Sequence, residues 1–152
     1  MIRLQRTDST NKHFVELVKH LDAELAILDG DDHAFYSQFN KIDALNHVVV
    51  AFENDLPVGC GAIKEFDAKS MEVKRMYTAT DHRGKGIAST VLSELEKWAR
   101  ALAFSSCILE TGIRQHAAIK LYESSGYTLI PNYGQYIGVD DSKCFLKVIN
   151  RT

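Results

Sequence analysis

The segment Arg83-Gly84-Lys85-Gly86 places two glycines and two cations in four residues, a combination that can bind a phosphate group. Glycine has no Cβ, so a phosphate can approach the backbone closely. If a helix begins here, its unpaired N–H groups and the positive end of its dipole favour the same anion. A glycine-containing surface turn with two solvated cations explains the four residues equally well. Both interpretations therefore stay open for the segment alone.

Known nucleotide-binding loops fit this segment poorly. The dinucleotide motif G-x-G-x-x-G would need a third glycine where the sequence has Ser89. The phosphate-loop pattern G-x-x-x-x-G-K-[ST] is also absent from the sequence. An enzyme that binds ATP or NAD at this loop stays an alternative.

The cysteines and histidines show no pattern that indicates a metal site or a thiol nucleophile. Cys60, Cys107 and Cys144 are far apart and lie among apolar residues, so we expect buried free thiols in a reducing compartment. A catalytic cysteine would need a histidine partner, which the spacing does not indicate. No histidines have the spacing of a zinc motif, and His116 is the one histidine that we expect near a ligand.

The glycine segment is expected to join a strand to a long helix. Met71 to Thr78 is predicted as the strand, and about Gly86 to Ala103 carries an apolar stripe at helical spacing. The other predicted elements are a strand at Ile2 to Arg6, helices at Asn11 to Leu28 and Ala34 to Asn40, strands at His47 to Phe52, Val58 to Phe66 and Ser106 to Thr111, a helix at Gln115 to Ser124, and strands at Tyr127 to Ile130 and Cys144 to Ile149.

The order of these elements, β-α-α-β-β-β-α-β-α-β-β, predicts an α/β fold with a mixed sheet and helices on both faces. Strand and helix do not alternate strictly, which argues against a doubly wound nucleotide-binding fold. With 152 residues and neither an internal repeat nor a low-complexity linker, the sequence predicts a single domain, residues 1–152.

Composition and charge argue against several classes of function. The net charge is −2 and the basic residues are spread along the chain, so no basic stripe or cluster suggests a nucleic-acid or membrane partner. Met1 to Arg6 contains no apolar signal core, and no apolar run approaches the roughly 20 residues that span a bilayer. We therefore expect a cytoplasmic protein.

Two motifs resemble the GNAT N-acetyltransferase superfamily. Arg83-Gly84-Lys85-Gly86-Ile87-Ala88 is similar to its R/Q-x-x-G-x-G/A signature, which follows a strand and opens a helix. Leu109-Glu110-Thr111 ends a strand, and the stretch AAIKLYESSGY from Ala117 to Tyr127 resembles the A-x-x-L-Y-x-x-x-G-F/Y helix of the family. The resemblance covers about Glu72 to Tyr127. It implies a mostly antiparallel central sheet with a splayed pair of strands, and transfer of an acetyl group from acetyl-CoA to an amine.

The resemblance also implies which residues bind the coenzyme. The pyrophosphate would lie on the loop formed by Arg83, Gly84, Lys85, Gly86, Ile87 and Ala88. The backbone of the splayed strand, at Met76, Tyr77 and Thr78, would pair with the pantetheine arm and orient the acetyl carbonyl. Gln115 stands where the family usually has an asparagine that contacts the coenzyme.

Catalytic roles follow from the same resemblance. Tyr122 matches a tyrosine that the family often uses as a general acid, because a phenol near the sulfur can protonate the departing thiolate. Glu110 matches a strand-end glutamate that is the base in some members, and Glu72 lies on the strand that carries the base in others. A structural role for both glutamates, with water as the base, is an equal alternative.

The acceptor is the part of the reaction that the sequence defines least. The N-terminal third usually forms the acceptor side of the family, and here it has acidic and aromatic residues that suit a cationic amine. They are Glu24, Asp29, Asp31, Asp32, His33, Phe35 and Tyr36. A solvated helix end and turn is the favoured explanation for them. Tyr133 and Tyr136 could close over the acceptor or anchor their loop.

We expect a small-molecule amine, in preference to a protein N-terminus, as the acceptor. A homodimer is one expectation for the assembly, since dimers are the commonest oligomers of soluble proteins. The alternative function is a module that binds acetyl-CoA without catalysis, as a sensor or to dock with a partner.

Overall fold

The computed structural model describes residues 1–32, 34 and 45–150. Its strands are β1 (Ile2–Thr7), β2 (His47–Glu53), β3 (Leu56–Glu65), β4 (Ser70–Thr78), β5 (Ser106–Gly112), β6 (Thr128–Ile130) and β7 (Ser142–Val148). Its helices are α1 (Lys12–Asp29), α2 (Ile87–Ala101) and α3 (His116–Ser124), with short 3-10 turns at Gly30–Asp32, Thr80–His82 and Gly134–Tyr136. The predicted strands and these three helices are confirmed to within two residues at each end, and the helix predicted at 34–40 lies outside the described residues apart from Ala34.

The seven strands form one sheet in the order β1-β2-β3-β4-β5-β7-β6. Neighbouring strands of this sheet are antiparallel except β4 and β5, which are parallel. The mixed, mostly antiparallel sheet is therefore confirmed.

The strands β4 and β5 pair along only part of their length. Ser70–Glu72 pair with Ser106–Ile108, and beyond these residues the two strands are no longer partners. A register shift between Cys60 and Ala62 of β3 marks a bulge against β4, where Arg75 adopts a left-handed φ of 59°. A bulge bends a strand and increases its twist, so it lets β4 turn away from β5. The predicted splayed pair is thus confirmed, with its cause in the bulge.

Helices cover both faces of the sheet, as predicted. Alternation along β2 directs Val48 and Val50 to one face and Val49 and Ala51 to the other. The first face packs against Phe14, Leu17 and Val18 of α1. The second face packs against α2 and α3, through side chains that include Val91, Leu92, Leu95 and Tyr122.

A local signal in the sequence explains where α1 begins. Asn11 Oδ1 accepts hydrogen bonds from the backbone N–H groups of His13 (2.9 Å) and Phe14 (3.1 Å), so it caps the helix.

All three cysteines are buried and free, as expected. Burial raises the pKa of the Cys60 and Cys107 thiols to about 12, which keeps them protonated. None of the described helices combines the length and apolar character that a membrane span requires.

Candidate active site

A cavity of about 730 Å³ opens where β4 and β5 diverge. Its walls come from α1, from the diverging parts of β4 and β5, from the loop between β4 and α2, and from α3. Small-molecule sites typically have a volume of about 300–1,000 Å³, so the cavity could hold part of a coenzyme and an acceptor. Most of the residues that the sequence nominated line it: Glu72, Met76, Tyr77, Thr78, Arg83, Gly84, Gly86, Ile87, Ala88, Glu110, Gln115 and Tyr122.

Gly84 and Gly86 form an open backbone cradle at the start of α2. Each has a left-handed φ of 80°, and a Cβ placed on either would meet no heavy atom within 4 Å. Gly86 is the N-cap of α2 and provides no side chain to satisfy the first N–H groups of the helix. These donors and the helix dipole fit an anionic group such as a pyrophosphate.

The two cations of the loop are tethered in different directions. Arg83 Nε donates to the carbonyl oxygen of Thr78 (2.9 Å), and its guanidinium also donates to Glu24 Oε2 (2.7 Å), so it ties the loop to α1. Lys85 does not line the cavity, because its ammonium group lies 3.4 Å from Glu53 Oε1 at the end of β2.

His82 is a cavity residue that sequence reasoning missed. Its Nδ1 lies 2.9 Å from the same Glu53 oxygen, and this hydrogen bond is the main cause that lowers the pKa of the Glu53 carboxyl. The only signal in the sequence was its position next to Arg83. Glu53 therefore anchors the loop through His82 and Lys85 without reaching the cavity itself.

The edge of β4 that faces the cavity has backbone groups without a strand partner. From residue 73 to residue 78, β4 pairs with β3 on one edge, and no described strand pairs with the other edge. Met76, Tyr77 and Thr78 lie in this stretch. Exposed N–H and C=O groups on such an edge can pair with an extended ligand.

Tyr122 lies on α3 with its side chain buried against the second face of the sheet. It is 6% exposed, contacts Tyr127 edge to face (5.8 Å between ring centroids) and packs near Phe145. Burial, and then the nearby charge of Glu110, raise the pKa of its hydroxyl above the ordinary range. The phenol therefore keeps its proton at neutral pH and could act as a proton donor in the cavity that it lines.

Glu110 lies on β5 and has the titration behaviour of a base that works near neutral pH. Burial raises the pKa of its carboxyl to about 7, and the charges of Asp29 and Glu72 act in the same direction. A hydrogen bond from Ser142 Oγ to Glu110 Oε2 (2.8 Å) and the charge of Lys74 oppose the increase. A carboxylate with this pKa can accept a proton at neutral pH and is a stronger base than an ordinary glutamate.

Glu72 lines the same cavity, but both of its carboxylate oxygens have partners. Oε2 accepts a hydrogen bond from the Tyr133 hydroxyl (2.6 Å), and Oε1 lies 3.8 Å from Lys74 Nζ. This hydrogen bond makes Tyr133 an anchor of its loop, whereas Tyr136 is 3% exposed and lines the cavity.

Only some of the residues predicted to form the acceptor side line the cavity. Glu24 and Asp29 of α1 line it. Asp31 and Asp32 lie in the turn after α1, where Asp32 Oδ2 is 3.4 Å from Arg114 Nη1. His33, Phe35 and Tyr36 lie outside the described residues.

The residues at the start of α3 also reach the cavity. Gln115 is the N-cap of α3, its side chain makes no capping hydrogen bond, and His116 follows it in the cavity wall. Within residues 1–32 and 45–150, no three His, Cys, Asp or Glu side chains are grouped so that they could hold a metal ion.

The chain is similar in sequence to known proteins. The chain is 37% identical over 98 residues to the uncharacterised N-acetyltransferase YsnE of Bacillus subtilis (strain 168), a match that covers 63% of this chain and 64% of that relative. The matched part of the chain therefore spans a little less than two thirds of that relative's length.

Solved structures share the fold over nearly the whole chain. A protein provisionally assigned as an acyl-CoA N-acyltransferase, from Klebsiella pneumoniae subsp. pneumoniae MGH 78578, is 28% identical with a TM-score of 0.83, and 99% of each chain is covered. The PaiA N-acetyltransferase of Thermoplasma acidophilum, solved in complex with coenzyme A, is 15% identical with a TM-score of 0.72, and 97% of this chain and 99% of that one are covered. The second likeness concerns the fold alone.

A family model gives the assignment directly. The model of the Acetyltransferase (GNAT) family matches residues 14–127, well over half of the chain. This family uses acetyl-CoA, which agrees with the cradle, the splayed strands and the cavity between them. The chain therefore belongs to the GNAT acetyltransferase family.

Proposed function

We propose that this protein, acting as a single domain over residues 1–152, transfers the acetyl group of acetyl-CoA to a primary amine by direct attack in a ternary complex. The observation that carries the proposal is one cavity that contains the glycine cradle, the protonated phenol of Tyr122 and the near-neutral carboxyl of Glu110. The family membership supports the choice of acetyl-CoA as the donor.

The chain's own residues fit the parts of the coenzyme. The cradle of Gly84 and Gly86 and the N–H groups that begin α2 bind the pyrophosphate, with Ile87 and Ala88 beside it and Arg83 adding charge. The open edge of β4, at residues 76–78, pairs with the pantetheine arm, and the amide of Gln115 supplies a further contact. Lys85 contributes charge from outside the cavity wall. When bound, acetyl-CoA supplies an activated acetyl thioester.

Glu110 and Tyr122 move the two protons that the reaction requires. An ammonium has no lone pair, so Glu110 takes a proton from the acceptor, with Oε1 as the accepting atom because Oε2 already accepts from Ser142. Tyr122 gives its hydroxyl proton to the departing thiolate. Glu72 is the weaker candidate for the base, because both of its oxygens have partners; its charge instead raises the pKa of Glu110.

The acceptor in this proposal is a small-molecule primary amine that binds between α1 and β5. The wall from α1 combines the apolar side chains of Leu21, Leu25 and Leu28 with the carboxylates of Glu24 and Asp29. Such a wall suits an amine that has an apolar body, since the carboxylates attract the ammonium form and the leucines cover the rest.

Binding and turnover measurements test the function together. Acetyl-CoA is titrated calorimetrically, and a broad panel of amines is then screened for release of free CoA and for the acetylated product by mass spectrometry. We expect acetyl-CoA to bind and at least one primary amine to give equal amounts of both products, with almost none released when the amine is omitted. Tight binding without turnover on any amine would favour the sensor module. Binding of ATP or NAD in place of acetyl-CoA would overturn the assignment of the loop.

A further inference from the structure

Thr111, on the diverging part of β5, has a buried hydroxyl without a hydrogen-bond partner. The residue is 4% exposed, and its Oγ1 bonds to no atom of the described residues. Buried hydroxyls nearly always have a partner, because losing water without gaining a hydrogen bond is costly. The other such atom in the described residues is Arg75 Nε, but its guanidinium is already paired with Asp22 through a second nitrogen.

The position of Thr111 suggests where its partner comes from. The residue lines the cavity, and its neighbour across β7 is Lys143, so only one edge of β5 is paired at this point. The opposite edge faces the gap from which β4 has turned away. A ligand in this gap lies beside Thr111.

The alternation of β5 places Thr111 on the same face of the sheet as Tyr122. Leu109, two residues earlier, packs in the same cluster as Tyr122 and Phe145. Glu110 points to the opposite face, where Cys144 is its cross-strand neighbour. Thr111 is therefore on the side of the proposed proton donor, away from the proposed base.

We propose that the Thr111 hydroxyl forms a hydrogen bond with the pantetheine–thioester arm of the acyl-CoA. The inference rests on the proposed function, because that arm must occupy the gap between β4 and β5. Its two amides and its thioester carbonyl lose water when they enter the gap, so each of them needs a partner there. The hydroxyl has no partner among the described protein atoms, and the coenzyme supplies one when it binds.

This assignment gives Thr111→Val two effects of opposite sign. Valine has nearly the shape of threonine but no hydroxyl, so it removes a buried polar atom that has no protein partner among the described residues. The free variant should unfold at the same temperature as the wild type or higher. The bound coenzyme loses a hydrogen bond, so its Kd should increase by about 5-fold or more. Thr111→Ser keeps the hydroxyl and should bind the coenzyme with nearly the wild-type Kd.

The experiment measures thermal unfolding without ligand and the calorimetric Kd for both CoA and acetyl-CoA. Thr128→Val is the matched control, because Thr128 is an exposed strand residue outside the cavity wall. This variant should bind CoA and acetyl-CoA with the wild-type Kd. Weaker binding of both ligands by Thr111→Val places the hydrogen bond on the pantetheine amides. Weaker binding of acetyl-CoA alone places it on the acetyl carbonyl.

Two results would overturn the inference. In the first, Thr111→Val binds both ligands as tightly as the wild type. In the second, Thr111→Val unfolds well below the wild type and Thr111→Ser does not, which would reveal a structural partner for the hydroxyl. Failure of the proposed function looks different, because the wild-type protein would then either bind neither CoA nor acetyl-CoA or bind them without acetylating any amine.

Discussion

Burial raises the pKa of both residues that are proposed to transfer protons. It raises the pKa of Glu110 to about 7, so the carboxyl can exchange a proton near neutral pH. It also raises the pKa of Tyr122 above the ordinary range, so the phenol stays protonated at neutral pH but is a weaker acid than an ordinary tyrosine. The same desolvation thus strengthens the base proposed on β5 and keeps the phenol on α3 in its protonated form.

The variant Tyr122→Phe tests the proposed role of Tyr122 as the general acid. Phenylalanine keeps the ring that contacts Tyr127 and Phe145, so the fold and the cavity should persist. We expect kcat to decrease by about 100-fold, within the range of general acid catalysis, with little change in the Kd for acetyl-CoA. Steady-state kinetics and calorimetry measure the two effects.

Tyr127→Phe is the control for this variant. It removes the hydrogen bond from Tyr127 to the buried Glu96 (2.9 Å), so it should lower stability, but it lies outside the cavity wall and should leave kcat unchanged. An unchanged kcat in Tyr122→Phe, when chemistry limits the rate, would remove Tyr122 from the mechanism.

Glu110→Gln tests the raised pKa through stability. A pKa of about 7, above the ordinary 4.5, means that the folded protein binds this proton more tightly than the unfolded chain does. The free energy of unfolding should therefore decrease as pH rises from about 4.5 to about 7, by about 1.4 kcal/mol per pH unit. Glutamine avoids this loss and keeps an oxygen for the Ser142 hydrogen bond.

The expected result for Glu110→Gln is a variant more stable than the wild type at pH 8, by up to about 3 kcal/mol, with a much smaller difference at pH 5. Denaturant unfolding at the two pH values measures this. A variant that is destabilised equally at both would show that the carboxyl is an ordinary structural group.

At the scale of elements, local signals predicted the start of α2 but not how its loop is held. Gly84 and Gly86 identify the cradle in the sequence because each needs a left-handed φ. Lys85 points to Glu53, which is 32 residues away along the chain, so its direction depends on tertiary structure. The bulge that splays β4 has Arg75 at positive φ. This conformation is uncommon for residues other than glycine, so an arginine in the sequence gives no signal of it.

Gly86→Ala, compared with Gly138→Ala, separates strain from binding. Both glycines have a φ of 80° with no heavy atom near a new Cβ, so both variants should lose about 1 kcal/mol of stability. Only Gly86 lies in the cavity wall, so only Gly86→Ala should weaken acetyl-CoA binding. Calorimetry at matched concentrations measures this, and equal Kd values for the two variants would show that the cradle does not contact the coenzyme.

At the scale of the whole molecule, one continuous sheet places three parts of the proposed site around a single gap. The cradle precedes α2, Glu110 lies on β5 and Tyr122 lies on α3, and the motifs predicted all three from the sequence. The surroundings that tune them were not predicted. Ser142 and Asp29 come from distant segments that only the fold brings to Glu110.

The continuous sheet also has a consequence for unfolding. Every described strand belongs to it, so a single domain should unfold in one cooperative transition. Fluorescence of Trp98, the single tryptophan, and far-ultraviolet circular dichroism should give the same midpoint. Separate midpoints would indicate more than one folding unit.

The central claim is that this cavity transfers acetyl to an amine with Glu110 as the base. Its most direct test is the pH dependence of kcat/KM for the best acceptor of the amine panel, in the wild type and in Glu110→Gln. The acceptor's own ionisation affects both proteins and serves as the internal reference.

We expect the wild-type kcat/KM to decrease below about pH 7, where Glu110 becomes protonated. Glu110→Gln should lack this decrease and be slower by about 100-fold at pH 8. A variant that is as active as the wild type and retains the same decrease near pH 7 would contradict the role of Glu110, and a wild-type protein that acetylates no amine would contradict the function itself.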